Sequence, residues 1–313
     1  MPATPSLIPG RSCPVDYRYG ADALAAPATL HADSLWIAGG LYGNTFALRR
    51  LEELFAAEQG ESALVFNGDF HWFDVADEPF AEIEHGVSRH SATRGNVETE
   101  ISRPQARAGC GCAYPDWVDD EDVARSNRII ERLKGTARRA PGAAARLAAL
   151  PMYRIAQVGG QRIAIVHGDA DSLAGWGFSQ EALATREGRD AAAGAFGLAG
   201  VRVFASSHTC LPVLQAFDGA GIIANNGAAG MPNFAGTGYG LATRISLTQH
   251  PLALYQMRIG PLQVEAIPIN YDAPAWRDAF LAQWPEGSDA HASYWRRVSD
   301  GPRYGVERAL RTA

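Results

Sequence analysis

Four short polar stretches carry side chains able to do chemistry: Gly68-Asp69, Gly95-Asn96-Val97-Glu98, Val166-His167-Gly168 and Ser207-His208-Thr209. Carboxylate, carboxamide oxygen and imidazole are donor types that hold divalent ions such as manganese, iron or zinc. The same groups serve as acids and bases near neutral pH. Taken singly each has a structural explanation, because a lone histidine or Gly-Asp pair usually completes a turn or a surface. Their weight comes from their order along the chain and from what precedes each of them.

Three of the four stretches follow a short apolar run with strand character. Residues 63–66 end at Asn67-Gly68-Asp69, 162–166 at His167-Gly168-Asp169 and 201–205 at Ser206-Ser207-His208. A fourth run, 34–38, ends in Gly39-Gly40 and leads to Asn44. Beyond it Phe46, Leu48, Leu51, Leu54 and Phe55 recur at helical spacing and are expected to face a sheet. This is a strand–helix–strand rhythm, and in open α/β sheets ligands gather at the carboxyl ends of strands, which makes 40–44 and 68–74 candidate site loops.

The pattern changes between Glu98 and Met152, where Cys110-Gly111-Cys112 precedes two polar helical segments, 119–133 and 138–150, bounded by Pro141 and Pro151. This stretch, about 101–150, reads as an inserted helical cap. Strand-like runs at 213–217, 222–224, 241–247, 252–259 and 264–269 are expected to form antiparallel meanders that complete a second sheet. The tail from Asp272 reads as a helix with Trp276, Phe280, Leu281 and Trp284 on its apolar side, then a weaker helix around Tyr294 and Trp295. If exposed, Trp276, Trp284 and Trp295 would suit a partner surface. The expected organisation is an N-terminal arm over 1–30, one α/β domain over 31–270 that contains the cap, and a helical extension over 271–313.

Composition narrows the function classes. With 47% hydrophobic and 20% charged residues, the chain fits neither a disordered nor a disulfide-stapled protein. Basic residues are scattered apart from pairs such as Arg49-Arg50, Arg138-Arg139 and Arg296-Arg297, so no nucleic-acid surface is expected. No segment approaches the ~20 apolar residues of a membrane span. Residues 1–10, with Pro2, Pro5 and Pro9, read as an extended arm rather than a signal peptide, and the expected address is the cytoplasm. Cys13, Cys110, Cys112 and Cys210 are then thiols, and the C-x-C pair is too tightly spaced for an ordinary disulfide. The glycines at 39–40 and 236–240 lack nucleotide-loop spacing, and no Gly-x-Ser-x-Gly elbow is present.

The order of the motifs resembles the calcineurin-like metallophosphoesterase superfamily. Its pattern runs Asp-x-His-Gly-Asn, Gly-Asp, Gly-Asn, His and Gly-His-x-His, and the matching stretches here span 38–209. Asn225-Asn226-Gly227 followed by Met231-Pro232 is similar to the loop beyond them. The resemblance implies a four-layer α/β/β/α sandwich and hydrolysis of a small-molecule phosphomonoester or phosphodiester. The chemistry it implies uses divalent ions that clamp the phosphoryl group and acidify a water. By motif position Asp69 would bridge two ions, and Asn96, His167 and His208 would complete the ligands of the second. Asp69, His167 and His208 would be the catalytic set.

The first-ion ligands depart from the pattern. Asp-x-His reads Gly40-Leu41-Tyr42, although Gly43-Asn44 is kept, and the last histidine is Cys210. Three outcomes are open. A single ion is retained, or Cys210 acts as a ligand in a rebuilt first site to which Tyr42, Cys110 and Cys112 contribute, or the scaffold binds a metal or phosphoester without turnover. An iron-dependent enzyme of other chemistry is the further alternative if Tyr42 or the cysteines hold iron.

Other polar residues have two readings each. His71 and Asp74 stand either beside the ligands or in a surface loop. Glu98 would orient a ligand or move a proton, while Val97 stands where many family members have a histidine. Arg94 would contact a phosphate oxygen or form a surface ion pair. Asp169 and Asp171 are expected in a solvated turn, and His85 and His90 at the surface.

Overall fold

Short apolar runs bounded by glycine and asparagine cannot bury both faces as helices, and they pair as strands instead. The computed structural model describes residues 7–103 and 107–311. Its strands are β1 (Leu30–His31), β2 (Ser34–Ala38), β3 (Ser62–Asn67), β4 (Ser91–Thr93), β5 (Tyr153–Val158), β6 (Gln161–Val166), β7 (Val203–Ser206), β8 (Val213–Phe217), β9 (Gly221–Asn225), β10 (Gly240–Ser246), β11 (Tyr255–Ile259), β12 (Leu262–Ile269) and β13 (Leu310–Arg311). The helices are α1 (Thr45–Ala56), α2 (Asp77–Ser88), α3 (Asn96–Ile101), α4 (Asp120–Arg139), α5 (Ala143–Ala149), α6 (Arg186–Ala199), α7 (Ala273–Gln283) and α8 (Asp289–Asp300).

One sheet has the order β11-β12-β10-β2-β3-β4 and the other β1-β5-β6-β7-β9-β8-β13. The strands that lead into the polar loops run parallel within each sheet: β2 beside β3, and β6 beside β7. Leu35, Ile37 and Val65 of the first sheet pack with Ile163, Ile165 and Val203 of the second to form the central core. On the outer face of the first sheet, Trp36, Phe66 and Ile267 meet apolar residues of α1, α2, α4, α7 and α8. Phe204 and Ile223 on the outer face of the second sheet meet Phe196 of α6. The result is an α/β/β/α sandwich.

Several expectations change. The late strands do not build one new sheet: β8 and β9 join the sheet of β6 and β7, whereas β10, β11 and β12 extend that of β2 and β3. Strand β5 is an addition, forming a hairpin with β6 across Gly159-Gly160. In α1, Asn44 caps the helix through the Ala47 N–H at 2.9 Å, which turns Ala47 inward while Phe46 and Phe55 are only partly buried. Helix α4 runs past Leu133 to Arg139 without a break. Trp276 and Trp284 are buried and offer no partner surface; the Trp284 indole N–H donates to the Phe73 carbonyl at 2.8 Å. Within the N-terminal arm expected over 1–30, Tyr17 and Leu24 are buried in short helical turns; of the stretch 1–10 expected to be extended, Pro2 and Pro5 lie outside the described residues. Among the described residues no helix is long and apolar enough to cross a membrane.

Candidate metal centre

Strand β3 delivers the chain into a tight loop in which Gly68 and Asp69 both have positive φ, 73° and 50°. For aspartate that conformation is uncommon and needs support. Glu98 provides it. Its buried carboxylate accepts the backbone N–H groups of Asp69 (2.8 Å), Phe70 (3.0 Å), His71 (3.3 Å) and Gly95 (2.8 Å). This ties the loop after β3 to the start of α3. The two loops interlock because neither glycine has a side chain: a Cβ on Gly68 would lie 2.5 Å from His167 Nδ1, and one on Gly95 would lie 2.2 Å from Asp69 Oδ1.

His167 follows β6, His208 follows β7, and Asn96 opens α3. The structure brings them together with Asp69. His167 Nε2 lies 3.3 Å from Asp69 Oδ2, 3.2 Å from Asn96 Oδ1 and 3.2 Å from His208 Nδ1. Ligand atoms of Asp69, His167 and His208 all lie within 4.8 Å of one another, and all three residues are buried.

The far side of each group fixes which atom faces inward. His167 Nδ1 donates to the Asn67 carbonyl at 2.9 Å, and His208 Nε2 donates to the Cys112 carbonyl at 3.0 Å. The Asn96 amide nitrogen donates to the Cys110 carbonyl at 2.9 Å. With both imidazoles neutral, two ring lone pairs, a carboxamide oxygen and a carboxylate oxygen therefore converge with no donor hydrogen among them. Such a set of acceptors fits a cation, with carbonyls holding the imidazoles in the metal-binding tautomer. Without an ion, burial favours neutral His167, but Asp69 beside it raises its pKa. Burial and the neighbouring His167 pull His208 down to about 4. Asp69 is held low by His167 against the opposing effect of burial.

The first-ion position has a different character. Gly40 offers no ligand, and the Tyr42 ring lies where a side chain at position 40 would go, with Cε2 2.7 Å from an ideal Cβ. The Tyr42 hydroxyl and Cys210 Sγ are hydrogen-bonded at 2.7 Å. Burial raises the pKa of both groups, so they are phenol and thiol rather than phenolate and thiolate. Among the described residues the clustered candidate ligands are Asp69, His167 and His208, and Cys210 is not one of them.

Above the cluster is a cavity of about 190 Å³ whose floor includes Asp69, Asn96 and His208. Trp72, Tyr114, Trp176 and Tyr294 form much of its wall, and Arg297 is its one cationic lining residue among those described. Arg297 reaches in from α8, with Nη2 donating to the Cys210 carbonyl at 2.5 Å and Nε to the Pro232 carbonyl at 3.3 Å.

Other polar residues fall outside their expected places. His71 and Asp74 are fully buried rather than in a surface loop: His71 Nδ1 lies 2.5 Å from Asp74 Oδ2, its Nε2 is 3.2 Å from Glu84, and its ring stacks on Phe80. Arg94 donates to the Ala148 carbonyl and does not line the cavity. Asp169 is no solvated steering charge; it accepts backbone N–H groups from Asp171, Ser172 and Gly177. His85 is exposed, whereas His90 is partly buried against Phe55 and Phe66. The Cys110-Gly111-Cys112 turn acts mainly through its main chain, with Cys112 Sγ also accepting from the Asn96 amide at 3.4 Å. Its two cysteine carbonyls orient Asn96 and His208, a role that residue type does not announce.

No family model matches the sequence, and no curated protein matches it in sequence. Solved structures do match in fold. A metallophosphoesterase from Sphaerobacter thermophilus superposes with a TM-score of 0.54 at 16% identity, covering 87% of this chain and 100% of that one. A hypothetical protein from Pyrococcus horikoshii superposes with a TM-score of 0.58, also at 16% identity, covering 87% of this chain and 99% of that one.

Proposed function

We propose that this chain, which has the calcineurin-like metallophosphoesterase fold, hydrolyses a small-molecule phosphoester at a single divalent ion held by Asp69, Asn96, His167 and His208. The observation that carries the reading is the convergence of four acceptor atoms whose opposite ends are all tied to backbone groups. Manganese, iron or zinc suits this mixed oxygen and nitrogen set. When bound, the ion supplies positive charge to the phosphoryl oxygens and acidifies water for attack.

The chain's own groups do the rest. Asn67 and Cys112 hold a proton on His167 Nδ1 and on His208 Nε2, which keeps the inward nitrogens free. Glu98 keeps the Asp69 loop in its strained conformation. Arg297, anchored beside the Tyr42–Cys210 pair, binds a phosphoryl oxygen on the side where the family's first ion would stand. Tyr42 and Cys210 stand neutral at that side, bonded to each other, with the thiol also donating to the His208 carbonyl. The proposed compartment is the cytoplasm, where the four free thiols stay reduced.

The closed Tyr42–Cys210 pair also favours a second reading, a protein that binds a metal and a phosphoester without turnover. Metal content per chain, measured together with hydrolysis of bis(p-nitrophenyl) phosphate, separates the two. The hydrolase reading expects close to one ion and measurable turnover, both lost in His167→Ala, with the ion kept in Cys210→Ala. One ion without turnover supports the binding protein. Two ions that fall to one in Cys210→Ala would overturn the single-ion centre, and a visible charge-transfer band lost in Tyr42→Phe would point to iron chemistry instead.

A further inference from the structure

We infer that the cavity over the metal centre selects phosphoesters whose organic group carries a single aromatic ring. Turnover of such a compound rests on the hydrolase reading above, but recognition of the ring does not.

The cavity is polar at its floor and aromatic above it, and the aromatic residues come from four separate segments. Trp72 belongs to the loop after β3, Tyr114 to the stretch before α4, Trp176 to the loop after β6 and Tyr294 to α8. Trp72 belongs to the outer core and Tyr114 and Tyr294 pack against it, yet each also lines the cavity, and Tyr114, Trp176 and Tyr294 are only partly buried. They are nevertheless fixed. The Trp176 indole N–H donates to the Cys112 carbonyl at 3.0 Å, its ring meets His208 edge-on at 5.5 Å, and Tyr114 lies 6.1 Å away. Tyr294 meets Trp72 edge-on at 6.3 Å. Aromatic walls held in place before binding favour another ring through edge and face contacts, with little ordering left to do on binding.

Size and polarity narrow the class. A cavity of roughly 150 Å³ suffices for benzene, so the 190 Å³ here takes one ring together with a phosphoryl group at the floor. Pockets for larger ligands start at about 300 Å³, so a nucleoside would extend beyond these walls. Wall hydroxyls have partners within the protein: Tyr42 bonds Cys210, Tyr114 bonds Ser126, and Thr209 Oγ1 accepts from Asn225. Few wall hydroxyls are therefore free to pair with the several hydroxyls of a sugar or polyol. Arg297 supplies the charge that a phosphoryl oxygen needs, and the ring takes the rest of the volume.

The test compares benzylphosphonate with cyclohexylmethylphosphonate, which match in size and charge and differ in aromaticity. Calorimetric titration of the full-length, metal-loaded protein is expected to give roughly tenfold tighter binding of the benzyl compound. That margin should shrink about fivefold in Trp176→Leu and in Tyr294→Leu, with the cyclohexylmethyl affinity little changed. The second variant carries the test if the first fails to fold. Equal affinities, no binding of either compound, or a margin that survives both substitutions would each overturn the inference. Ring-selective binding without hydrolysis of benzyl phosphate would leave it standing and sink the hydrolase reading. Hydrolysis of benzyl and cyclohexylmethyl phosphates at equal kcat/KM, with equal phosphonate affinities, would do the reverse.

Discussion

Cys110 and Cys112 show how main-chain groups can shape a candidate metal centre: Cys112 Sγ accepts from the Asn96 amide at 3.4 Å, but the main contacts come from backbone carbonyls. Burial raises the pKa of the Cys112 thiol, whereas the two backbone carbonyls hold Asn96 and His208 in their binding orientation. Gly111 between them has φ 67°, and a Cβ there would approach the Tyr17 hydroxyl to 2.5 Å. That hydroxyl cannot easily retreat, because it donates to Glu100 at 2.6 Å inside the protein. Gly111→Ala is therefore expected to shift both carbonyls and weaken metal affinity by about 10- to 100-fold, the usual effect of losing an outer partner of a ligand. Cys110→Ser and Cys112→Ser, which keep the carbonyls, should retain the ion. Competition with a chromophoric chelator reads all three; retained affinity in Gly111→Ala, or loss in either serine variant, would refute the assignment. At this scale the motif order made Asp69, Asn96, His167 and His208 legible in the sequence. The two carbonyls were not, because every residue carries one and only the fold decides where it points. The Tyr42–Cys210 contact was equally hidden, since the two lie 168 positions apart.

Between elements, the same division holds. Parallel strands ending in polar loops were readable from apolar runs that stop at Gly-Asp or at a histidine. Which sheet each late strand joins was not, because antiparallel neighbours leave no mark on the period of a strand. The register is fixed instead by contacts such as Arg244 on β10, which donates to Glu58 beyond α1 at 2.8 and 2.9 Å and to Glu265 on β12 at 2.7 Å. Trp36 on β2 adds a bond from its indole N–H to Glu58 at 2.5 Å. Burial alone would raise the Glu58 pKa, but these donors lower it from 4.5 to about 2. A carboxylate depressed in the folded state stabilises fully above its unfolded pKa and loses that contribution as pH falls through the folded value. The wild type should therefore lose Tm more steeply than Glu58→Gln between pH 4.5 and about 2, with the two slopes converging above pH 5. Parallel melting curves across that window would show that the cluster contributes no pH-linked stability.

The whole molecule places its candidate ligands on both sides of the central core. Asp69 follows β3 of the six-stranded sheet, while His167 and His208 follow β6 and β7 of the seven-stranded sheet. An ion at this centre consequently joins the two sheets at the end of the sandwich, and Arg297 of α8 fastens the C-terminal helices to the loop after β7. Since the ligands come together only in the folded chain, binding free energy adds to folding stability by mass action. At a free ion concentration one hundred times Kd that addition is about 2.7 kcal/mol. For a chain of this size each kcal/mol moves Tm by roughly 1–2 °C. Stripping the ion with a chelator should thus lower Tm by about 3–5 °C, and readdition of manganese or zinc should restore it. His167→Ala should melt at the same temperature with and without chelator, because it lacks the centre on which the effect depends. Equal chelator sensitivity in wild type and His167→Ala would place the stabilising ion elsewhere. A wild type indifferent to chelator would mean that the acceptor cluster holds no ion and that the sheets are joined by their apolar core alone.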